Sequence, residues 1–199
     1  MNNVSISPEA KIGAGTIIHM GTMIEGACVI GENCTIGPNT HLIDSIVDDG
    51  AHIWHSVAQN ARIGKNTTIG PFAYLRPGAD IGESCKIGNF VEIKNTSFGN
   101  RSKASHLSYI GDSNIGEDVN IGCGVITVNF DGKCKHLTIV GDGAFVGCNA
   151  NLVAPVAIAE NTYIAAGSTI TSNVPEGALA IARCRQTNKE GWVDKNLSR

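Results

Sequence analysis

Aliphatic residues recur at every sixth position through most of the chain. Ile6, Ile12, Ile18, Ile24, Ile30, Ile36 and Leu42 form one run. Val57, Ile63, Ile69, Leu75, Ile81, Ile87 and Ile93 form a second, and Val140, Val146, Leu152, Ile158, Ile164 and Ile170 a third. Two positions before nearly every one stands a small or β-branched residue, such as Thr22, Cys28, Cys34, Thr40, Ala73 or Cys85. An amphipathic helix would repeat at about 3.6 residues, and that period is absent. Alternation instead puts the small residue and the aliphatic one on the same inward face of a short strand. Glycine often follows the aliphatic residue, as in Ile12-Gly13, Ile36-Gly37 and Ile69-Gly70, and is read as supplying the positive φ of a tight corner. Three such strands close a triangular coil, and successive coils stack about 4.8 Å apart. The expected fold is all-β, a parallel β-helix of hexapeptide repeats.

The pattern is disturbed in three places. Residues 43–56 lose register. Residues 94–112 rephase with two one-residue deletions, through Thr96-x-Phe98, Ser102-x-Ala104, Ser108-x-Ile110, then Ser113-x-Ile115 and Val119-x-Ile121. Residues 128–137 read as an extruded loop with a turn at Asp131-Gly132. After Pro175 the repeat is expected to stop, which divides the chain into a β-helix over 1–174 and a tail over 175–199. Insertions in a solenoid tend to gather on one functional side.

Composition sharpens this picture. The 24 glycines among 199 residues exceed the usual share of about 7%, as a corner in nearly every hexad requires. A net charge of −3 and a pI near 6.0 argue against a broad nucleic-acid-binding face. No apolar run approaches the roughly 18 residues of a membrane span. The opening Met1-Asn2-Asn3-Val4-Ser5 lacks the basic and apolar regions of a leader peptide, so a cytoplasmic location is expected. Seven cysteines without a CxxC pair are then expected to be reduced thiols. Cys28, Cys34 and Cys85 fall in the small inward slot and are read as packing residues.

The phases also predict neighbours. Leu75, Ile93 and Ile110 share a column, so Arg76 and Lys94, each one residue further on, should stack directly. Two cations at that spacing repel by roughly 3–4 kcal/mol at an effective dielectric of 20. A bound phosphate or carboxylate would relieve the repulsion; splaying of both side chains into water is the plainer alternative. Glu92 and Tyr109 stack one residue before the same anchors. A second column, Ile69, Ile87, Ala104 and Ile121, puts His106 one coil before Cys123 at a corner. Asn120, Asn129, Lys133 and Lys135 come from the same disturbed coils, so an imidazole, cations and hydrogen-bonding groups converge there.

At these residues a family resemblance becomes close. The runs Gly70-Pro71-Phe72-Ala73-Tyr74-Leu75-Arg76-Pro77-Gly78, Ile87-Gly88-Asn89-Phe90-Val91-Glu92-Ile93-Lys94 and His106-Leu107-Ser108-Tyr109-Ile110-Gly111-Asp112 carry it. So do Val119-Asn120-Ile121-Gly122, Asn129-Phe130-Asp131-Gly132, Leu152-Val153-Ala154-Pro155-Val156 and Ala178-Leu179-Ala180-Ile181-Ala182-Arg183. From Gly70 to Trp192 the chain resembles the acetyltransferase part of the bifunctional N-acetylglucosamine-1-phosphate uridyltransferase/glucosamine-1-phosphate N-acetyltransferases, without the uridyltransferase part. The resemblance implies a left-handed β-helix, acetyl-CoA as co-substrate, an amino-sugar phosphate as acceptor and a homotrimer with active sites between subunits. His106 matches the catalytic base, and Glu92 an acidic residue needed near the substrate. Arg76, Lys94, Tyr109, Asn120 and Lys135 match sugar-phosphate contacts. Asn129, Ala166 and Arg183 match positions that hold acetyl-CoA. Cys123, Phe130 and Cys148 fall at that cofactor site where the family carries Ala, Tyr and Ser. No metal is expected for the transfer, and a separate nucleotidyltransferase is a conceivable partner.

Rival readings stay open at this point. Cys123 beside His106 permits a covalent acetyl-cysteine step. His52-Ile53-Trp54-His55 is the feature that would serve a metal-dependent hydratase of carbonic-anhydrase type on the same fold. A third reading is a scaffold that binds sugar phosphates without chemistry.

Overall fold

The computed structural model describes residues 3–197. Met1 and Asn2, which open the stretch read as lacking a leader, and Ser198 and Arg199 of the tail lie outside the described residues. The chain winds as a left-handed parallel β-helix of about ten coils. One face is a ten-stranded sheet running from Ile17–Ile18 through Lys86–Asn89, Lys103–His106 and Asn120–Ile121 to Leu179–Ala180. The other two faces merge into a seventeen-stranded sheet because Glu92–Phe98 and Tyr109–Ile115 run continuously around one corner.

The core is the predicted column structure. Cys28, Cys34 and Cys85 are buried beside Ile30, Ile36 and Ile87. Every residue pair of the rephased stretch, from Thr96-x-Phe98 to Val119-x-Ile121, faces inward. Residues 43–56 lose the six-residue register, as expected, while staying in the coil. They hold the pairs Ser45-x-Val47, Ala51-x-Ile53 and Ser56-x-Ala58, all buried, with five-residue steps from Leu42 to Val47 and from Ile53 to Ala58. Three details differ from expectation. The five-residue steps move Ala58 into the column between Leu42 and Leu75 and turn Val57 outward. Ile6 and Ile12 are about two-fifths exposed (45% and 39%), because among the described residues no coil lies beneath them. The repeat also persists beyond Pro175, since Leu179–Ala180 pairs in parallel with Tyr163–Ile164. A short helix, Trp192–Asn196, follows.

Glycine acts at two distinct places in the corner. The glycine directly after the aliphatic residue is there for space: a Cβ on Gly64 would lie 2.5 Å from the carbonyl carbon and oxygen of Gly82 in the next coil. Positive φ belongs to the residue two positions further on, as at Asn33 (φ 54°), Asn66 (55°) and Asn161 (54°). Asparagine tolerates this left-handed geometry better than other side chains. Gly37 (φ 100°) and Gly70 (φ 119°), each ahead of a proline, are the exceptions that meet the original reading.

Candidate functional site

The expected column is present. Leu75, Ile93 and Ile110 stack in register, as do Tyr74, Glu92 and Tyr109. Arg76 and Lys94, however, are not left to repel each other. Arg76 Nη1 donates to Glu92 Oε1 at 2.7 Å, and Lys94 Nζ lies 3.2 and 3.3 Å from the two oxygens of Asp112. The relief that the sequence assigned to a bound anion is thus partly built into the chain.

Asp112 is the centre of this network and was not singled out from the sequence. Its carboxylate also accepts from Asn95 Nδ2 at 2.7 Å and from Asn129 Nδ2, and Lys135 Nζ stands 3.7 Å away. Burial opposes its ionisation, but the hydrogen bonds from Asn95, Lys94 and Asn129 outweigh burial and hold the carboxyl below the ordinary aspartate range. Asp112 sits at a corner with φ 48°, a slot where the repeat most often places Asn or Gly and, at Asp44 and Asp118, also an acid. An acid there, one residue after the neighbour of Lys94, is the signal that could have found it.

Lys135 is held below the usual lysine range by the Lys94 ammonium beside it. Two ammonium groups share one carboxylate, so the second proton comes off more easily. Hydrogen bonding to Glu92 conversely raises the Arg76 guanidinium. Three cations and two carboxylates leave this patch one net positive charge, which suits an incoming anion. Gly111 makes the packing possible: a Cβ there would lie 2.4 Å from the Tyr109 hydroxyl and 2.9 Å from Asn129 Nδ2.

The extruded loop is a small closed tab. Phe130 and Lys135 form an antiparallel bridge, and His136 N–H donates to Asn129 O at 2.8 Å. Asp131 Oδ1 accepts from the backbone of Lys133 and Cys134, both at 2.7 Å, while Oδ2 meets His136 Nε2 at 2.7 Å. Those backbone N–H groups, Cys134 first, and His136 hold the Asp131 carboxyl far below its usual range. Asn129 is buried and pins the tab to Asp112, whereas Phe130 stays exposed at its edge.

His106 ends the strand Lys103–His106 on the ten-stranded face. It is exposed, and its Nδ1 lies 2.7 Å from Oδ1 of Asn89, its register partner one coil away. Further along the same corner come Cys123, Cys148 and Ala166. Asn149 N–H donates to Cys123 O at 2.7 Å, and Gly167 N–H to Cys148 O at 2.8 Å. Arg183 closes this row, its Cδ 3.7 Å from where a Cβ on Gly167 would be. Asn120 lies on the flat of the same face, between Lys103 and Phe145.

The predicted residues therefore fall into two groups on one chain. Lys94, Tyr109, Asn129 and Lys135 gather around Asp112, with the Arg76–Glu92 ion pair stacked alongside. His106, Cys123, Cys148, Ala166 and Arg183 follow the adjoining corner. Asn120 joins neither by direct contact, and Phe130 meets the first only through its backbone bridge to Lys135, its ring staying exposed. Among the described residues the surface carries open grooves of about 340 to 590 Å³ that His106 does not line. One, of about 350 Å³, runs between Thr169–Val174 and Ala178–Ala182, next to Arg183.

The histidines of the 52–55 stretch point to separate neighbours. His52 packs on Trp54 at 4.7 Å between ring centroids, and His55 on Phe72 at 5.7 Å. Among the described residues no group of three or more His, Cys, Asp or Glu side chains is placed to hold a metal ion.

Comparison with known proteins follows this geometry. The chain is 59% identical over 190 residues to the bifunctional protein GlmU of Geobacillus sp. (strain WCH70), covering 96% of this chain and 41% of the relative. It is 57% identical over 188 residues to the bifunctional protein GlmU of Caldicellulosiruptor saccharolyticus, covering 94% and 41%. The chain thus spans about two-fifths of the length of these curated relatives. Among solved structures, a UDP-N-acetylglucosamine acyltransferase from Campylobacter jejuni shares the fold at 17% identity, with a TM-score of 0.58 and coverage of 92% of this chain and 71% of that one. The family model for bacterial transferase hexapeptide (six repeats) matches residues 9–44, 60–95 and 137–172, more than half of the chain. These hexads flank residues 96–136, which carry His106, Asp112, Asn129 and Lys135, and the chain belongs to the bacterial transferase hexapeptide family.

Proposed function

We propose that the chain is an acetyl-CoA-dependent N-acetyltransferase acting on an amino-sugar phosphate, with glucosamine 1-phosphate as acceptor and His106 as general base. The observation that carries this reading is the adjacency of a cationic patch to an exposed, oriented imidazole on the next corner. A sugar phosphate bound by Arg76, Lys94 and Lys135 would compete with Glu92 and Asp112 for the cations and add charge-assisted hydrogen bonds of its own. Tyr109 and Asn129, already gathered at Asp112, offer polar contacts to the sugar.

The row Cys123, Cys148 and Ala166 supports an extended acyl carrier. Small side chains at successive coils would leave room for a carrier along the corner, and Arg183 would offer a cation to its phosphates. An imidazole is suited to accept a proton near neutral pH, and a positioned base contributes typically about 10²–10⁴ in rate. In the proposed transfer the substrate amine attacks the thioester carbonyl while His106 takes its proton. The Cys123 N–H would meet the tetrahedral oxyanion, since those of Gly122 and Gly124 already donate to Val146 O and Leu107 O. Collapse then expels the CoA thiolate, which takes up the proton.

Assembly as a homotrimer is part of the same reading. Phe72, Phe90 and Leu107 stand in a row beside the His106 corner, all more than half exposed and all with left-handed backbone (φ 60°, 57° and 45°). Such geometry costs a non-glycine residue roughly 1–2 kcal/mol. The Phe72–Phe90 stack, at 5.5 Å between centroids, and cover by a second copy would offset that cost. A neighbouring chain seated there would also complete a site that the side chains of Asn120 and Phe130 do not reach within one chain.

The test is thiol release from acetyl-CoA against a panel of amino-sugar phosphates, with the molar mass read by light scattering. Turnover with glucosamine 1-phosphate and a mass about three times 20.8 kDa is the expected result. Binding without thiol release on every acceptor would return the chain to the scaffold reading.

A further inference from the structure

The His106 ring is held by a partner to which neither the repeat nor the resemblance gave a role. We propose that Asn89 is a positioning residue that fixes His106 as the Nδ1–H tautomer, so that Nε2 carries the lone pair that receives the substrate proton. This rests on the reading of His106 as base. Two independent ties join the residues across adjacent coils. Leu107 N–H donates to Asn89 O at 2.9 Å, which locks the main chain of the two corners together. The side-chain contact, His106 Nδ1 to Asn89 Oδ1 at 2.7 Å, then spans a distance that the backbone has already set. Phe90 and Leu107, the residues that follow, both adopt left-handed φ, so each corner turns immediately after the pair.

The chemistry follows from what each atom can do. An amide oxygen only accepts, so a neutral imidazole facing it must carry its hydrogen on Nδ1. The other nitrogen is then unprotonated and faces away from Asn89. During transfer the amine lone pair forms the N–C bond and the amine proton moves to Nε2. The C–S bond breaks, and the departing thiolate takes that proton back from Nε2. Nδ1–H stays bonded to Asn89 throughout. A neutral amide suits this role better than a carboxylate, because it orients the ring without strongly stabilising the imidazolium that must return its proton.

The test combines a resting-state and a kinetic reading on the full chain. ¹⁵N NMR of the histidine rings should give the Nδ1–H pattern for His106 in the wild type. Asn89→Leu should turn it into a tautomer mixture. The same variant should lower kcat for thiol release by about 10–100-fold, the range seen when an outer partner of a functional histidine is lost. KM for acetyl-CoA and for the sugar phosphate should stay within about 3-fold, since the residue touches neither substrate in this reading. Asn89→Asp, which keeps an acceptor at the same place, should restore the Nδ1–H pattern and most of kcat. A purely structural role would change unfolding temperature without moving the tautomer. An Nε2–H pattern in the wild type overturns the proposal, and this reading does not depend on any variant folding. Wild-type kcat in Asn89→Leu beside an inactive His106→Ala overturns it as well. Full activity in His106→Ala would instead remove the base assignment, leaving the tautomer measurement to decide the hydrogen bond by itself.

Discussion

At the scale of single residues, the decisive feature is how charge is distributed around Asp112. The sequence puts Arg76 above Lys94, and the structure keeps them there, yet each cation has its own acid. Register made the stacking legible, since the aliphatic anchors fix every neighbour. The acids were harder to read because Glu92 and Asp112 belong to different columns of the repeat and meet the cations only through side-chain reach. Asp112 carries a testable consequence. Its carboxyl titrates below the unfolded value of about 3.9, so the native state binds fewer protons there than the unfolded chain. The stability it contributes is therefore complete above that unfolded value and is lost as pH falls through the folded one. Asp112→Asn should lower unfolding free energy at pH 7 by about 1–3 kcal/mol, as a largely buried, charged hydrogen-bond acceptor is lost. As pH falls below about 3.9 the difference between variant and wild type should shrink progressively, vanishing only once Asp112 is protonated in the folded state. Parallel curves at every pH would show that Asp112 is not the group responsible.

At the scale of the strand and its corner, the two-residue alternation was legible through most of the chain, but not at Val57, at Val125-x-Thr127 or beyond Pro175. Val57 is the larger hydrophobe, but coil geometry admits Ala58. A single shortened hexad reverses which residue faces the axis, just as a register slip does in any strand. The glycine after each aliphatic residue was legible as a requirement, but its cause was misassigned. It makes room for the backbone of the neighbouring coil, while an asparagine or glycine two places on makes the turn. This separates two kinds of substitution. Gly64→Ala puts a Cβ 2.5 Å from the main chain of Gly82 and should destabilise by about 1–3 kcal/mol or more, because backbone atoms cannot rotate aside. Gly132→Ala on the extruded tab meets no atom within 4 Å and carries only the strain of φ 96°, about 1 kcal/mol. Thermal unfolding should rank the two in that order; equal shifts would contradict the spatial account of the inner glycine.

At the scale of the whole molecule, the solenoid acts as a ruler. Because coils stack in register, residues some 17 positions apart become neighbours, as with Asn89 and His106 or Lys94 and Gly111. Chemistry can then be assembled on a core of small and aliphatic side chains with few large rings. The extruded loop between Val128 and Thr138 supplies Asn129 and Lys135 to the same patch, which is where an insertion in a solenoid was expected to matter. The fold was read almost completely from the repeat. The site was read in its members but not in its wiring, because hydrogen bonds such as Asn89–His106 and Asn129–Asp112 depend on side-chain direction at corners. The division into two groups, a cationic patch and a histidine corner, is a property of the single chain, and a neighbouring copy over the Phe72–Phe90–Leu107 row is what would close them into one site. Acetyl transfer by His106 is the claim on which the rest depends. The most direct measurement is the rate of thiol release from acetyl-CoA with glucosamine 1-phosphate, compared between wild type and His106→Ala of equal molar mass and unfolding temperature. The account requires turnover in the wild type and a loss of at least about 10²-fold in the variant; an unchanged rate in His106→Ala would contradict it.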